Sequence, residues 1–208
     1  MKTLIINAHP DPHSTLSATN QMVRHLLAKL SAQDVEVVNL AEADIHPVDK
    51  AVLDTFAQTL LNQEPLDAAQ TQLLARINAV TAQFKSAPRL VIALPLYNFG
   101  IPARLKNWID NIVIPEQTFK YENGILQGLM SGHKALILQA SGGVFSSGSN
   151  AQMEFTIPYL KALLGGFLGF SSVEAVRAEG TMERIGLEAA VKQACADIDA
   201  KFEAFMAE

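Results

Sequence analysis

The chain has 208 residues, 49% of them hydrophobic, with 16 basic and 21 acidic side chains and a formal net charge of −5. That is enough apolar material for one sizeable core, so a single domain over 1–208 is expected, and the acidic balance gives no electrostatic case for nucleic acid or an anionic membrane as partner. The first apolar run reaches only Ile6 before Asn7 and His9, no stretch approaches a membrane span, and the single Cys195 excludes an internal disulfide and a cysteine metal cluster. A cytoplasmic protein is expected, with Cys195 a small buried hydrophobe.

Thr3-Leu4-Ile5-Ile6 reads as a strand ending in Asn7-Ala8-His9-Pro10-Asp11-Pro12-His13, and Ser14-Thr15-Leu16-Ser17 opens a helical spacing through Met22, Val23, Leu26, Leu27 and Leu30. Val35 to Leu40 predicts a second strand. Val52, Leu53, Phe56 and Leu60 predict a helix from Asp49 to Leu61, broken over Asn62 to Pro65; Leu73, Leu74, Ile77, Val80 and Phe84 mark another from about Asp67 to Phe84. Leu90 to Leu94 is apolar on both faces, as in a strand covered by helices on either side, and Pro95 stops it. Leu96-Tyr97-Asn98-Phe99-Gly100 has no apolar period, and Pro102 sits where a first helical residue tolerates a missing N–H, with helix over Ala103 to Ile109. Glu116 to Gly132, with Asn123, Gly124, Gly128, Ser131 and Gly132 among aromatics, reads as a long functional loop or a small hairpin. Ala135 to Leu138 is a fourth strand, leading into Gln139-Ala140-Ser141-Gly142-Gly143. A helix is expected from about Gln152 to Leu168, its limits blurred by Pro158 and Gly165-Gly166, then a fifth strand at Val173 to Val176 and an amphipathic helix from Glu183 to Phe205. Strands alternating with helices predict an α/β three-layer sandwich: a five-stranded parallel sheet with helices on both faces.

Three strand ends carry the chemistry. The first lacks both the glycine pattern of a dinucleotide fingerprint and the Gly-Lys-Ser/Thr of a phosphate loop. It offers the hydroxyls of Ser14, Thr15 and Ser17 at a helix N-terminus, where free N–H groups favour a phosphate monoester; helix capping is the first reading of such a cluster and phosphate binding the second. His9 could coordinate a metal, act as a base or pack at the strand end; Asp11 and His13 beside it make a weak metal set, and a cofactor-wall role is expected. The aromatic–amide turn of Tyr97, Asn98 and Phe99 suits a planar, hydrogen-bonding ligand, and Gly142-Gly143 permit positive φ and a close backbone approach. Hydroxyls for a phosphate, a turn for a ring and glycines for its far edge, all on one edge of a sheet, have the shape of a mononucleotide site.

At these residues the sequence resembles the FMN-dependent NADH-azoreductases, relatives of the NAD(P)H:quinone oxidoreductases within the flavodoxin-like fold. The resemblance covers nearly the whole chain and is carried by Pro95-Leu96-Tyr97-Asn98-Phe99, Ile101-Pro102, Leu105-Lys106, Thr118 to Gly124, Gly128-Leu129, Gly142-Gly143, Pro158-Tyr159-Leu160 and Ala178-Glu179-Gly180. It implies the strand order 2-1-3-4-5, and an FMN held at its phosphate by Thr15, Leu16 and Ser17 with Ser14 and His9 beside them. Leu96, Tyr97, Asn98 and Phe99 would line the ring system through their backbone N–H groups, with Pro95 beside them at the cofactor, and Ala140, Ser141, Gly142 and Gly143 its pyrimidine edge. It also implies a homodimer in which Phe119 and Tyr121 shape the substrate slot over the flavin. The His9 loop looks more like the quinone-reductase branch; Ala140-Ser141 stands where a Ser-Arg pair is frequent, and Leu163 to Phe167 is one residue longer than the family run.

The implied activity is two-electron, ping-pong reduction of quinones with NADH or NADPH as donor, and cleavage of aromatic azo compounds as a related reaction. Flavin chemistry needs little from side chains, so no catalytic acid or base and no metal are expected. Two other readings stand: a flavodoxin-type electron carrier, and a flavin-free α/β binding domain in which Tyr97 and Phe99 are simply core.

Overall fold

The computed structural model describes residues 1–62 and 64–207, apart from the side chains of 60–62. The packing expected of Leu60 and part of the break expected over Asn62 to Pro65 therefore lie outside the described residues. Strands β1 (Thr3–Asn7), β2 (Val35–Asn39), β3 (Arg89–Pro95), β6 (Lys134–Ala140) and β7 (Ser172–Ala178) form one parallel sheet in the order β2-β1-β3-β6-β7. Counting sheet strands alone, this is the expected 2-1-3-4-5. The two remaining strands, β4 (Phe119–Glu122) and β5 (Ile125–Gly128), pair antiparallel as a separate hairpin, which settles the loop-or-hairpin alternative. Its corner, Asn123 at φ 54° and Gly124 at φ 79°, is the left-handed pair that a two-residue hairpin requires.

Strand alternation divides the core. Leu4, Ile6, Leu90, Ile92, Leu94 and Ile137 face α3 (Ala68–Lys85), α4 (Ala103–Ile112) and α5 (Thr156–Lys161), while Ile5, Val91, Ala93, Leu136 and Leu138 face α1 (Ala18–Leu27) and α6 (Leu187–Met206). With both faces covered, β3 is buried from end to end, as its unbroken apolar run demands. The short α2 (Lys50–Phe56) packs on α3 through Val52 and Ile77 and continues as π-type winding over Ala57–Asn62.

Helix starts depart from the sequence expectation for local reasons. The first helix begins at Ala18, not Ser14: the carbonyls of Ser14 and Thr15 are taken by Arg24, at 3.3 and 3.1 Å, and Asn20 Nδ2 binds those of Asp11 and Ser14. Its expected apolar residue Leu30 falls beyond its end at Leu27. The last helix begins at Leu187, not Glu183, because Gly180 and Gly186, at φ 69° and 76°, fold the intervening residues into a turn closed by Gly186 N–H donating to the Gly180 carbonyl. The expected Gln152–Leu168 helix is three pieces: a 3₁₀ turn over Gly148–Met153, α5, in whose first turn Pro158 is harmless, and π-type winding over Ala162–Phe167.

Candidate functional site

Because β1, β3, β6 and β7 run parallel with level registers, their carboxyl ends bring four loops to one edge of the sheet. After β1, Ser17 Oγ accepts the Asn20 N–H at 3.2 Å and caps α1. The capping reading of the hydroxyl cluster thus holds for Ser17, and it leaves the N–H groups of Leu16 to Thr19 without an acceptor among the described residues. Asn7 and Asn20, both buried, shape this loop: Asn7 Nδ2 reaches Asn20 Oδ1 and Asn39 Oδ1, and Asn7 Oδ1 accepts the His9 N–H. His9 Nδ1 lies 2.7 Å from the Asp11 carbonyl, so the ring is tied back on its own loop. His13 meets Glu42, whose carboxyl this imidazole and the Asn39 amide hold below its ordinary value. Among the described residues no group of three His, Cys, Asp or Glu could hold a metal ion.

After β3 the chain turns back in two residues. Tyr97 and Gly100 exchange both backbone hydrogen bonds, at 3.1 and 2.9 Å, and Asn98 and Phe99 between them sit at φ 47° and 69°. This corrects the backbone account of the turn. The Leu96 N–H donates to the Ala140 carbonyl and the Tyr97 N–H to Gly100, so only the N–H groups of Asn98 and Phe99 are open to a ligand. Tyr97 and Phe99 are exposed, at 45% and 41%, rather than core.

After β6, neither Gly142 nor Gly143 has a positive φ, so of the two expected reasons for the glycine pair the conformational one does not hold. A Cβ on Gly142 would come 3.2 Å from Met182 Sδ, and one on Gly143 2.9 Å from Glu183 Oε1. The segment after β7 is stitched to this loop: Thr181 N–H and Oγ1 donate to the Ser141 carbonyl, Met182 N–H to that of Gly142 and Gly180 N–H to that of Gly143. The N–H groups of Gly142 and Gly143 stay without an acceptor among the described residues.

Together these loops line a cleft of about 500 Å³: His9, Leu16, Ser17, Ala18 and Thr19 from the first, Pro95, Leu96 and Tyr97 from the second, Ala140, Ser141 and Gly142 from the third, and Thr181, Met182 and Leu187. Of the expected residues, Ser14, Thr15, Asn98, Phe99 and Gly143 lie off this lining. Phe119 is placed differently from expectation: its ring is in the core, 4.7 Å from that of Phe167, whereas Tyr121 is exposed on the hairpin. The wall from Thr181 to Leu187 was missed by motif reading. The strand order held the signal, since the loop after the last strand must lie beside the one after its neighbour.

A family model described as flavodoxin-like fold matches residues 1–202. An FMN-dependent NADH:quinone oxidoreductase of Bacillus anthracis is 38% identical over 187 residues, 86% of this chain and 84% of that protein. A protein of the same name from Lactiplantibacillus plantarum is 34% identical over 211 residues, 98% of each chain. The solved structure of an FMN-dependent NADH-azoreductase from Bacillus anthracis in complex with FMN superposes with a TM-score of 0.92 at 34% identity, covering 100% of both chains.

Proposed function

The chain belongs to the flavodoxin-like-fold family and, within it, to the FMN-dependent NADH:quinone oxidoreductases, and we propose that it binds FMN in the cleft at the carboxyl edge of the sheet and uses NADH to reduce quinones and, in the same slot, aromatic azo compounds. The observation that carries this is a set of backbone donors without an acceptor among the described residues on one edge of the sheet: Leu16 to Thr19 at a helix start and Gly142 at a strand end on the cleft lining, with Asn98 and Phe99 at a left-handed corner and Gly143 on the loops that border it. These fit a ligand with an anionic end, a flat ring and a far edge that gains negative charge.

In this arrangement the N-terminus of α1 and the Ser17 hydroxyl would hold the phosphate, with no Lys or Arg needed. Ser14 and Thr15 act by shaping the loop through carbonyls held by Arg24 and Asn20. The Asn98 and Phe99 N–H groups would face the hydrogen-bonding side of the ring; those of Gly142 and Gly143 would stabilise charge at its pyrimidine edge. The chemistry supplied by bound FMN is acceptance of two electrons from NADH and their delivery to a second flat acceptor after the first product leaves. The side chains on the lining, Leu16, Tyr97 and Met182 among them, offer apolar surface that would exclude water once a partner subunit covers it, and no proton-transfer role is assigned to any.

The whole chain is read as one FMN-binding unit that works as a cytoplasmic homodimer, with the partner's hairpin presenting Tyr121 over the slot. Among the described residues no helix is long and apolar enough to cross a membrane. The deciding experiment is spectral and kinetic together. The purified protein should be yellow, or take up FMN stoichiometrically, and should oxidise NADH faster with a benzoquinone present than without. A protein that takes up no FMN on titration would refute the reading.

A further inference from the structure

Beneath the flavin turn lies a buried carboxylate that the chemistry above does not use. Glu154, 6% exposed, accepts at Oε1 from the N–H groups of Thr156 and Ile157, at 2.8 and 3.0 Å, and from Gln139 Nε2 at 3.0 Å; Oε2 lies 3.4 Å from Arg177 Nη2. Gln139 and Arg177 are register partners on β6 and β7, so the carboxylate joins the sheet to the first turn of α5. It does what an N-cap side chain would do, from one residue further out, for a six-residue helix whose own N-cap, Phe155, makes no side-chain bond.

Stability alone is a poor account of this group. Burying a carboxylate carries a desolvation cost that its partners offset only in part, and Gln139 Oε1, Thr156 Oγ1 and Arg177 Nε in the same cluster have no partner among the described residues. What the arrangement does fix is the backbone between Glu154 and Ile157, and in that stretch the Phe155 N–H donates to the Phe99 carbonyl at 3.2 Å. Phe99 needs such a restraint: at φ 69° it occupies a left-handed conformation that is unfavourable for a residue with a bulky side chain. The geometry points to Glu154 as a positioning residue for the flavin: through Phe155 it holds the Asn98–Phe99 corner, and so its two open N–H groups, in a ligand-ready conformation. This rests on the FMN reading above.

The test is titration of the apoprotein with FMN, followed by quenching of flavin fluorescence, alongside the apoprotein's thermal midpoint. Glu154→Ala should weaken FMN binding about tenfold, whereas Glu154→Gln, whose amide oxygen still accepts from the same N–H groups, should stay within about threefold of wild type. Phe155→Pro removes the N–H and the ring, Phe155→Ala only the ring, so the proline variant should bind FMN several-fold more weakly than the alanine one. A lowered thermal midpoint with wild-type FMN affinity in folded Glu154→Ala would overturn the inference, leaving the carboxylate a structural cap. Equal affinity of the two Phe155 variants would overturn it as well, and that pair decides alone if Glu154→Ala does not fold. A wild-type chain that binds no FMN overturns the functional reading and this inference together.

Discussion

Asn98 and Phe99 show what a single residue contributes here. Both are left-handed, and the corner they form is closed by Gly100 N–H donating to the Tyr97 carbonyl. Asn tolerates this region and Phe does not, so the turn is held by its surroundings rather than by its own preference. Space at Gly100 is open, a Cβ there meeting only Tyr97 O at 3.9 Å, so what matters at that position is the N–H. Gly100→Pro deletes it and is expected to weaken FMN binding about tenfold or more, whereas Asn98→Ala, which keeps every N–H, should cost about threefold or less. Equilibrium titration with FMN measures both. If Asn98→Ala abolished binding with the fold intact by circular dichroism, the side-chain amide and not the backbone would be the flavin's contact.

At the scale of elements, the hairpin is docked by a backbone-to-backbone approach. A Cβ on Gly128 would lie within 2.3–2.5 Å of Leu168 and Gly169 main-chain atoms, and Met130 N–H donates to the Leu168 carbonyl. Gly128→Ala is therefore expected to cost more than about 2 kcal/mol, read as a drop in the thermal midpoint. Gly166→Ala, in the neighbouring π-type winding with nothing within 4 Å of its Cβ, should leave the midpoint level or raise it. The edge strand β2 is tied differently. Glu36 binds Lys2 at 2.9 Å and Gln83 at 2.7 Å, and these hydrogen bonds, Lys2 first, hold its carboxyl below its ordinary value of 4.5. A folded-state pKa below the unfolded one adds stability above the unfolded pKa that is lost as pH falls through the folded one. Glu36→Gln should thus be slightly less stable than wild type at pH 7, by under about 1 kcal/mol for so exposed a pair. Thermal unfolding at about pH 7 and again below pH 4 checks this, since the difference should vanish in acid. A difference that persists in acid would assign it to the lost geometry instead.

For the whole molecule the open question is what covers the cleft. Leu16 and Met182 on its lining are 77% and 89% exposed, and Tyr97, Phe99 and Phe155 add apolar surface on the same edge of the sheet. A slot that must exclude water during electron transfer is incomplete with such walls, and the proposed homodimer would supply the missing cover. Sedimentation should give about twice the mass of one chain, and Tyr121→Ala should lower kcat/KM for a benzoquinone about tenfold while leaving FMN affinity within about twofold of wild type. A monomer with full quinone reductase activity would remove the partner's hairpin from the site. Phe119 is unsuitable for the same experiment, because its ring packs on Phe167 and its loss would unseat the hairpin itself.

The local sequence determined the layering of this protein and the chemistry of its strand ends. Apolar runs such as Leu90 to Leu94 can be satisfied only between two helical layers, and the hydroxyls, the aromatic–amide turn and the paired glycines were visible as residue types at successive strand ends. Tertiary structure decided which donors are free. That the Tyr97 N–H is spent on Gly100 within its own turn, that Gly142 and Gly143 take no positive φ, and that Phe119 packs its ring on Phe167 follow from the folded backbone and its contacts rather than from any apolar period. Helix starts depart from the periodic pattern for a polar reason: the Thr15 carbonyl held by the Arg24 side chain, and the Glu154 carboxylate capping α5 from outside it, leave no periodic trace in the sequence. Periodicity reports which face is buried, and only the folded chain reports which polar groups have already found partners.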